Sequence, residues 1–433
     1  MRIRILTALI ASVGVITSAQ GQLNLSQVDG GTLQLNTITT AVPFLIINPE
    51  TRGGGMGDVG VATSADAASM HWNVAKYAFI KDKSGVSISY TPWLRALVPD
   101  ISMSYLTGYY RIDDMSTAAV SMRYFSLGSI QFTDNFGNST IQFTPNEFAI
   151  SAGYSRRLTD RLSGGLSAKF LSSNLTGGQT VGGASSRPGR SGAVDLGVYY
   201  VNNDITMFEK DATVAWGVAI SNLGAKISYT DATKRDFLPM NLRMGPRVTW
   251  DLNESNKLSV SVDLNKYLVP SPPRYARLPD DEGGGLLEDE NGLVVSSGMD
   301  PDRPVPSAVF TSFYDAPGYG AYDDQGDWVP YGGGKFREEL NEFSAGLGLE
   351  YWYAEQFAFR MGYFTEHYSK GNRRFVTLGA GLRLNVFGLD FSYLISTYNV
   401  RKQQGVQSPL ANTLRFTLSF DFAEAVNKDT PSE

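Results

Sequence analysis

The chain has 433 residues, of which 18% are charged and 12% aromatic, with no cysteine and a formal net charge of -6. So few charges argue against an ordinary soluble surface, 42% hydrophobic content argues against disorder, and an acidic balance without a Lys/Arg cluster argues against nucleic-acid binding. The missing cysteines exclude disulfides, zinc knuckles, thiol catalysis and Cys-ligated iron–sulfur centres, and no motif for a cofactor is present.

Residues 1–19 read as a secretory signal peptide. Arg2 and Arg4 precede an apolar run from Ile5 to Ile16 and a small-residue site at Thr17-Ser18-Ala19, and the run is shorter than the roughly 20 apolar residues a membrane-crossing helix needs. Residues 20–83 read as a plug folded into a lumen or as a periplasmic cap. Gly53-Gly54-Gly55, Gly57 and Gly60 would let backbone pass close to backbone or take positive φ. They are not a dinucleotide fingerprint, because no βαβ unit or acidic ribose partner follows.

From residue 84 the period is two. Leu414, Phe416, Leu418 and Phe420 oppose Arg415, Thr417, Ser419 and Asp421; Val214, Trp216, Val218 and Ile220 oppose Ala215, Gly217, Ala219 and Ser221. Fourteen strands are predicted, at 84–91, 100–111, 115–126, 145–156, 161–174, 191–203, 211–223, 239–251, 256–266, 340–352, 355–366, 372–384, 387–398 and 411–422. The even-numbered connections are short and the odd-numbered ones mostly long. A β-sandwich also alternates faces, but it has no reason to alternate loop lengths. The pattern predicts an all-β fold: a 14-stranded antiparallel outer-membrane β-barrel over 84–422, with tight periplasmic turns, extended extracellular loops and an N-terminal plug-like segment. Residues 423–433 form a C-terminal tail. The expected location is the cell outer membrane.

One loop, 267–339, holds 14 Asp/Glu against 5 Lys/Arg, with 9 Pro and 11 Gly, a net charge of -9. It reads either as a solvated surface loop or as a docking arm, because apolar islands including Phe310, Phe313 and Tyr314 are embedded in it. Asp323, Asp324, Gly326 and Asp327 offer oxygen ligands for calcium but lack the ordered spacing of an EF-hand loop.

Two patches are candidates for cargo or partner binding. The first is Trp93, Leu94, Leu97 and Val98 in the first extracellular loop, where exposed apolar residues either pack into the barrel mouth or meet a partner. The second is Phe310, Phe313 and Tyr314 with Asp315, aromatic anchors of the kind that dominate interfaces. Lys370, Arg373 and Arg374 could meet lipopolysaccharide phosphates or form a simple solvated hairpin. Facing the lumen, Arg243, Arg247, Asp263, Glu350, Arg360, Arg383 and Arg415, together with Lys169, Asp195, Asp390 and Asp421, form a polar network of both signs. Such a network suits a plugged lumen better than a path for apolar molecules.

The stretch RGGGMGDVGVATSADAASMHWNVAKYAF at 52–79 resembles the N-terminal signature of fatty-acid-transporter-like barrels, with Asn73-Val74-Ala75 where that superfamily has Asn-Pro-Ala. A more specific resemblance is to the PorV family of the type IX secretion system. It rests on NTITTAVPFLIINPETRGGGMGDVGVATS at 36–64, YTPWLRALVPDISMSYL at 90–106, SFYDAPG at 312–318, EYWYAEQFAFRMGYFTEHYSKGNRRFVTLGAGL from 350, and SPLANTLRFTLSFDF ending at 422. The resemblance covers nearly the whole mature chain. It implies a fourteen-stranded shuttle that binds the C-terminal signal domain of secreted cargo leaving the type IX translocon and delivers it to a sortase-like attachment complex. Cargo, translocon, attachment complex, membrane lipid and lipopolysaccharide are then the expected partners.

Two other functions compete: a transporter of hydrophobic small molecules, by analogy with the wider superfamily, and a lipopolysaccharide O-deacylase, a name some relatives carry. Catalysis has little to rest on. The only histidines are His71 and His367, no G-x-S-x-G motif marks a nucleophile, and His367 beside Glu366 and Ser369 is a sequence neighbourhood and no triad. Two distant histidines are also a poor metal-ligand set.

Overall fold

The computed structural model describes residues 35–423, apart from 96–97, 99, 134–138, 179, 182–183, 231–234, 279–284, 290–291, 398–409 and 411. The expected signal peptide, Leu97 and most of the C-terminal tail lie outside the described residues.

Fourteen antiparallel strands close into a barrel. They are β1 (Ser84–Pro92), β2 (Ile101–Arg111), β3 (Ser116–Leu127), β4 (Asn146–Arg157), β5 (Leu162–Asn174), β6 (Gly189–Met207), β7 (Lys210–Gly224), β8 (Asn241–Asn253), β9 (Asn256–Tyr267), β10 (Ser344–Tyr353), β11 (Phe357–Thr365), β12 (Arg374–Leu384), β13 (Phe387–Ser396) and β14 (Thr413–Phe422). Each pairs with its sequence neighbours, and β1 closes on β14 with Ser84 opposite Phe422. Closure leaves no unpaired edge, which a bilayer demands because lipid offers backbone groups no partner.

Alternation sorts the two faces. Val86, Ile88 and Tyr90 of β1, Trp216 and Val218 of β7, and Phe357, Phe359, Met361 and Tyr363 of β11 stand exposed on the outside. The inward positions between them are small and polar, such as Ser87, Ser89, Ser163, Ser167, Ser259, Ser261, Thr377, Ser392 and Thr417, all buried. An apolar outside facing acyl chains and a narrow hydrophilic inside is the arrangement a lipid-spanning barrel needs. No helix among the described residues is long and apolar enough to cross a membrane.

The turns after even-numbered strands are tight. The β6–β7 and β10–β11 turns place Phe208, Glu209, Ala354 and Glu355 at φ between 51° and 61°, a left-handed pair suited to the strand twist of a hairpin. The connections after odd-numbered strands are longer and gather at the opposite rim, the extracellular one in such barrels. Inside the longest of them the described residues form two helices, α3 (Val305–Thr311) and α4 (Gly334–Asn341). The tenth strand, expected from 340, therefore begins at Ser344: Asn341 still belongs to α4, whose exposed Phe336 and Leu340 stand four residues apart on one helix face.

Residues 41–80 occupy the interior and form much of the core. Val42, Phe44 and Leu45 pack with Met103, Phe125, Leu171, Ile227 and Leu238; Val74 and Tyr77 pack with Tyr109 and Ala119; Ala75 packs with Tyr199 and Ala215. Burying side chains such as Phe44 and Leu45 stabilises by about 1.5–3 kcal/mol each. Two short helices, α1 (Thr51–Gly54) and α2 (Ser69–Trp72), punctuate the segment. Small wall residues admit it. A Cβ on Gly217 would overlap the Val61 carbonyl, and one on Gly362 would overlap the Gly57 amide. Gly57 itself has φ +71°, and its Cβ would lie 2.7 Å from the Tyr363 nitrogen.

Candidate functional site

Three features meet the requirements of a site: the charged seam between the inner segment and the wall, the buried ionic cluster under the acidic loop, and an aromatic stripe on that loop's outer face.

The seam begins at Arg52 of α1. Its guanidinium pairs with Glu350 of β10 at 2.7 Å and with Asp66 at 2.9 Å. Glu350 also receives Arg360 at 2.8 Å, Arg360 reaches Asp390 at 2.6 Å, and Arg383 meets Asp390 at 2.6 Å. Around the rest of the wall, Asp263 Oδ2 accepts the Gly60 and Val61 amides at 2.8 and 2.9 Å. Arg415 lies 3.9 Å from Asp58, and Arg243 stacks over Trp72 at 4.6 Å while donating to Asn265. Lys169 pairs with Asp195 at 3.2 Å, and Asp421 accepts from Tyr109. Arg247 is buried, and its Nε has no partner. The predicted lumen residues thus lie on the inner wall, and most are joined in pairs or through the inner segment.

Inner-segment residues outside that prediction complete the seam. Glu50 caps α1 through the Arg52 and Gly53 amides and accepts the Trp72 indole at 2.8 Å. Burial, with the neighbouring Asp66 charge, pushes its carboxyl up to about 7. Lys76 donates to Gly60 O and Thr63, and burial brings its ammonium down to about 8. The signal was readable for Glu50 alone, as an acidic residue directly before a short helix.

At the rim that carries the long connections, α4 and its C-cap Glu342 deliver three carboxylates inward. Lys266, at the end of β9, pairs with Glu339 at 3.1 Å and Glu342 at 2.5 Å. Lys370, from the β11–β12 connection, pairs with Glu338 at 2.7 Å and Glu342 at 3.0 Å. Both ammonium groups are almost fully buried, with side chains 1% and 3% exposed. Ser271 adds a 2.5 Å bond to Glu342. This clasp ties the loop to the barrel. Arg373 pairs with Glu366, also in that connection, so of the three basic residues read as a solvated hairpin or a contact to lipopolysaccharide, only Arg374 has no ion pair among the described residues.

The aromatic island is placed differently from the first-loop patch. Helix α3 packs Ala308, Val305 and Val309 on Met240, Leu268 and Val269. Its other face continues through Ser312, whose amide donates to Ala308 O. Phe310, Phe313 and Tyr314, at i, i+3 and i+4, stand 75%, 46% and 58% exposed. Asp315, expected at the surface with them, is instead buried: it pairs with Arg303 and faces the Ser271 amide. Such an anchor fixes the stripe's base and leaves no carboxylate for a partner. Trp93 is half-buried against the Val42–Phe44 cluster, Leu94 takes φ 50°, and Val98 is exposed and donates its amide to Leu94 O. The packing alternative therefore accounts for Trp93, and the two patches rest on separate clusters.

Asp323 accepts the Gln325 and Asp327 amides, the bonds of a self-capped turn. Among the described residues no group of His, Asp or Glu is placed to hold a metal. His367 Nδ1 lies 2.9 Å from Ser369 Oγ, but Ser369 is fully buried and also meets the Tyr319 hydroxyl. Burial, with Arg374 nearby, lowers the imidazole to about 4. The pair caps the turn Tyr368–Lys370.

Solved barrels of similar form include the toluene transporter TodX of Pseudomonas putida, at 11% identity over 89% of this chain and 98% of that one with a TM-score of 0.43. A FadL homologue of Pseudomonas aeruginosa follows at 11% identity, 90% and 100% coverage and a TM-score of 0.40. No curated protein matches. The profile described as "Type IX secretion system protein PorV" matches residues 31–274, more than half of the chain. With its closed fourteen-stranded barrel and apolar outer belt, the chain belongs to the PorV family and is an outer-membrane component of the type IX secretion system.

Proposed function

We propose that this protein receives secreted cargo by its C-terminal signal domain as it leaves the type IX translocon, and hands it to a sortase-like attachment complex at the cell surface. The observation that carries the reading is the stripe of Phe310, Phe313 and Tyr314, held exposed on a loop that the buried clasp fixes to the barrel. Large apolar side chains kept in water on a rigid support are poised for a partner, because binding then costs little ordering. The barrel serves as a membrane float, its outer face in lipid and its loops in reach of lipopolysaccharide and of both complexes.

A transporter of hydrophobic small molecules would need an apolar route through the barrel. The interior is instead occupied by residues 41–80 and crossed by buried ion pairs, so the inner segment is best read as a plug. The O-deacylase alternative lacks an accessible nucleophile at the one Ser–His contact among the described residues, since Ser369 is fully buried. We assign the protein a non-catalytic role.

Immobilised full-length protein in detergent, exposed to a purified cargo C-terminal domain, tests the assignment. Replacing Phe310, Phe313 and Tyr314 together with Ala should abolish retention while the barrel stays folded. Equal retention by the triple variant would remove the stripe from the account.

A further inference from the structure

A small cavity lies between the inner segment and strands β2–β5 and β7, bordering the charged seam at Lys169 and apart from the clasp and the stripe. His71, Tyr105, Ser121, Arg123, Ser151 and Lys169 line it, with Ser221 and Asn222 completing its polar surface. Lys169 is neutralised by Asp195 at 3.2 Å. Arg123 is not: it is 6% exposed and has no ion pair among the described residues. Its Nη1 donates to the Phe44 and Leu45 carbonyls at 3.0 and 2.7 Å, and its Nη2 lies 2.8 Å from His71 Nδ1. A guanidinium can only donate, so Nδ1 is the acceptor and the imidazole proton sits on Nε2.

That Nε2–H is buried and has no partner, and the Tyr105 hydroxyl, on a residue 2% exposed, has the Ser121 hydroxyl and the Arg123 guanidinium beside its oxygen and no well-aligned acceptor for its own proton. A buried positive charge and two unused donors thus border one cavity, and buried charge is tolerated when it is paired. A water there would bring two hydrogens of its own, with only serine hydroxyls and the Asn222 amide oxygen to accept them beside the Arg123 charge; an anion brings none. The space holds roughly one or two water-sized groups, too little for phosphate or sulfate.

We propose that this cavity is a binding site for a single small monovalent anion of halide size, held by His71 Nε2–H, the Tyr105 hydroxyl and the Arg123 charge. The anion completes the packing of the inner segment, because Arg123 and His71 join the wall to both ends of the Phe44–Trp72 stretch. It binds the folded barrel alone and therefore stabilises it by mass action.

The test is heat unfolding of the full chain in detergent at constant ionic strength, with sodium chloride or bromide replacing sodium gluconate, whose anion exceeds the cavity. The unfolding midpoint should rise saturably with halide. Tyr105→Phe, which keeps the ring over Arg123 and removes one donor, should match the unaltered protein in gluconate and lose most of the halide response. Crystals grown in bromide should carry an anomalous peak in the cavity. Equal midpoints in halide and gluconate, a response that survives Tyr105→Phe in full, or bromide crystals with no peak there would each overturn the proposal.

Discussion

Replacing Lys266 with Met probes the clasp under the acidic loop most sharply. In the intact cluster two ammonium groups offset three carboxylates, Glu338, Glu339 and Glu342. Removing Lys266 leaves one ammonium for three carboxylates in a site already almost free of water. Breaking a buried pair by deleting one partner costs about 3–5 kcal/mol, and the loss of Lys266 from its places over Phe313 and Phe343 adds to this. Lys370 still holds Glu338 and Glu342, so the low end, about 3 kcal/mol, is the better expectation. That corresponds to a roughly hundredfold rise in the open population of the loop, at about 1.4 kcal/mol per decade. Limited proteolysis on intact cells reads this population directly when opening and closing outpace cleavage. The loop of the variant should be cut about a hundredfold faster, with the barrel itself still resistant. Adding Glu342→Gln, which removes one of the two surplus negative charges, should recover part of the protection. A cleavage rate unchanged by Lys266→Met would refute the clasp.

Other expectations follow from the same geometry. Phe310→Ala should leave barrel stability within about 0.5 kcal/mol, as for an exposed side chain, yet weaken cargo binding by at least tenfold in a titration; a shift in stability without a loss of binding would contradict the exposed-anchor reading. Gly217→Val should drive side-chain atoms into the Val61 carbonyl and destabilise the packed interior by about 1–3 kcal/mol, seen as a lower temperature for loss of the compact band in gels. Glu50, with its folded carboxyl near 7 and an unfolded value near 4.5, binds its proton more tightly in the folded state. Its contribution is complete below about pH 4.5 and is lost as pH rises through 7. The stability of the unaltered protein relative to Glu50→Gln should therefore fall across that window and flatten above it, and a difference that instead grows with pH would reverse the assignment.

Much of the barrel was legible because the bilayer imposes a strict rule. Lipid on one side and a narrow polar interior on the other force Leu414, Phe416 and Leu418 apart from Arg415, Thr417 and Ser419, and this sorting survives in the linear order. The polarity of the inner wall was legible for the same reason. What escaped was any feature set by contacts distant in sequence. The acidic loop reads as solvated because its carboxylates outnumber its cations locally. The partners of Glu338, Glu339 and Glu342 are Lys266 and Lys370, which flank the loop on either side. The helix that carries them did leave a trace: Phe336 and Leu340 on one face, Glu338, Glu339 and Glu342 turned to another, a 3.6-residue period interrupting strands of period two. Asp315 likewise looked exposed beside three aromatics, whereas its partner Arg303 comes from the chain just before α3. Arg52 gave no signal at all, since nothing local indicates that a Gly-rich run will lay its one guanidinium on Glu350.

The central claim, that this barrel carries cargo between complexes, is tested most directly by affinity co-purification of the tagged native protein from gently solubilised outer membranes, with mass spectrometry of its companions. Secreted proteins sharing a C-terminal domain should be recovered, together with the large translocon or a sortase-like protease. Recovery of the barrel alone, with lipid or fatty acid as its sole companion, would contradict the shuttle and favour a transporter of hydrophobic molecules.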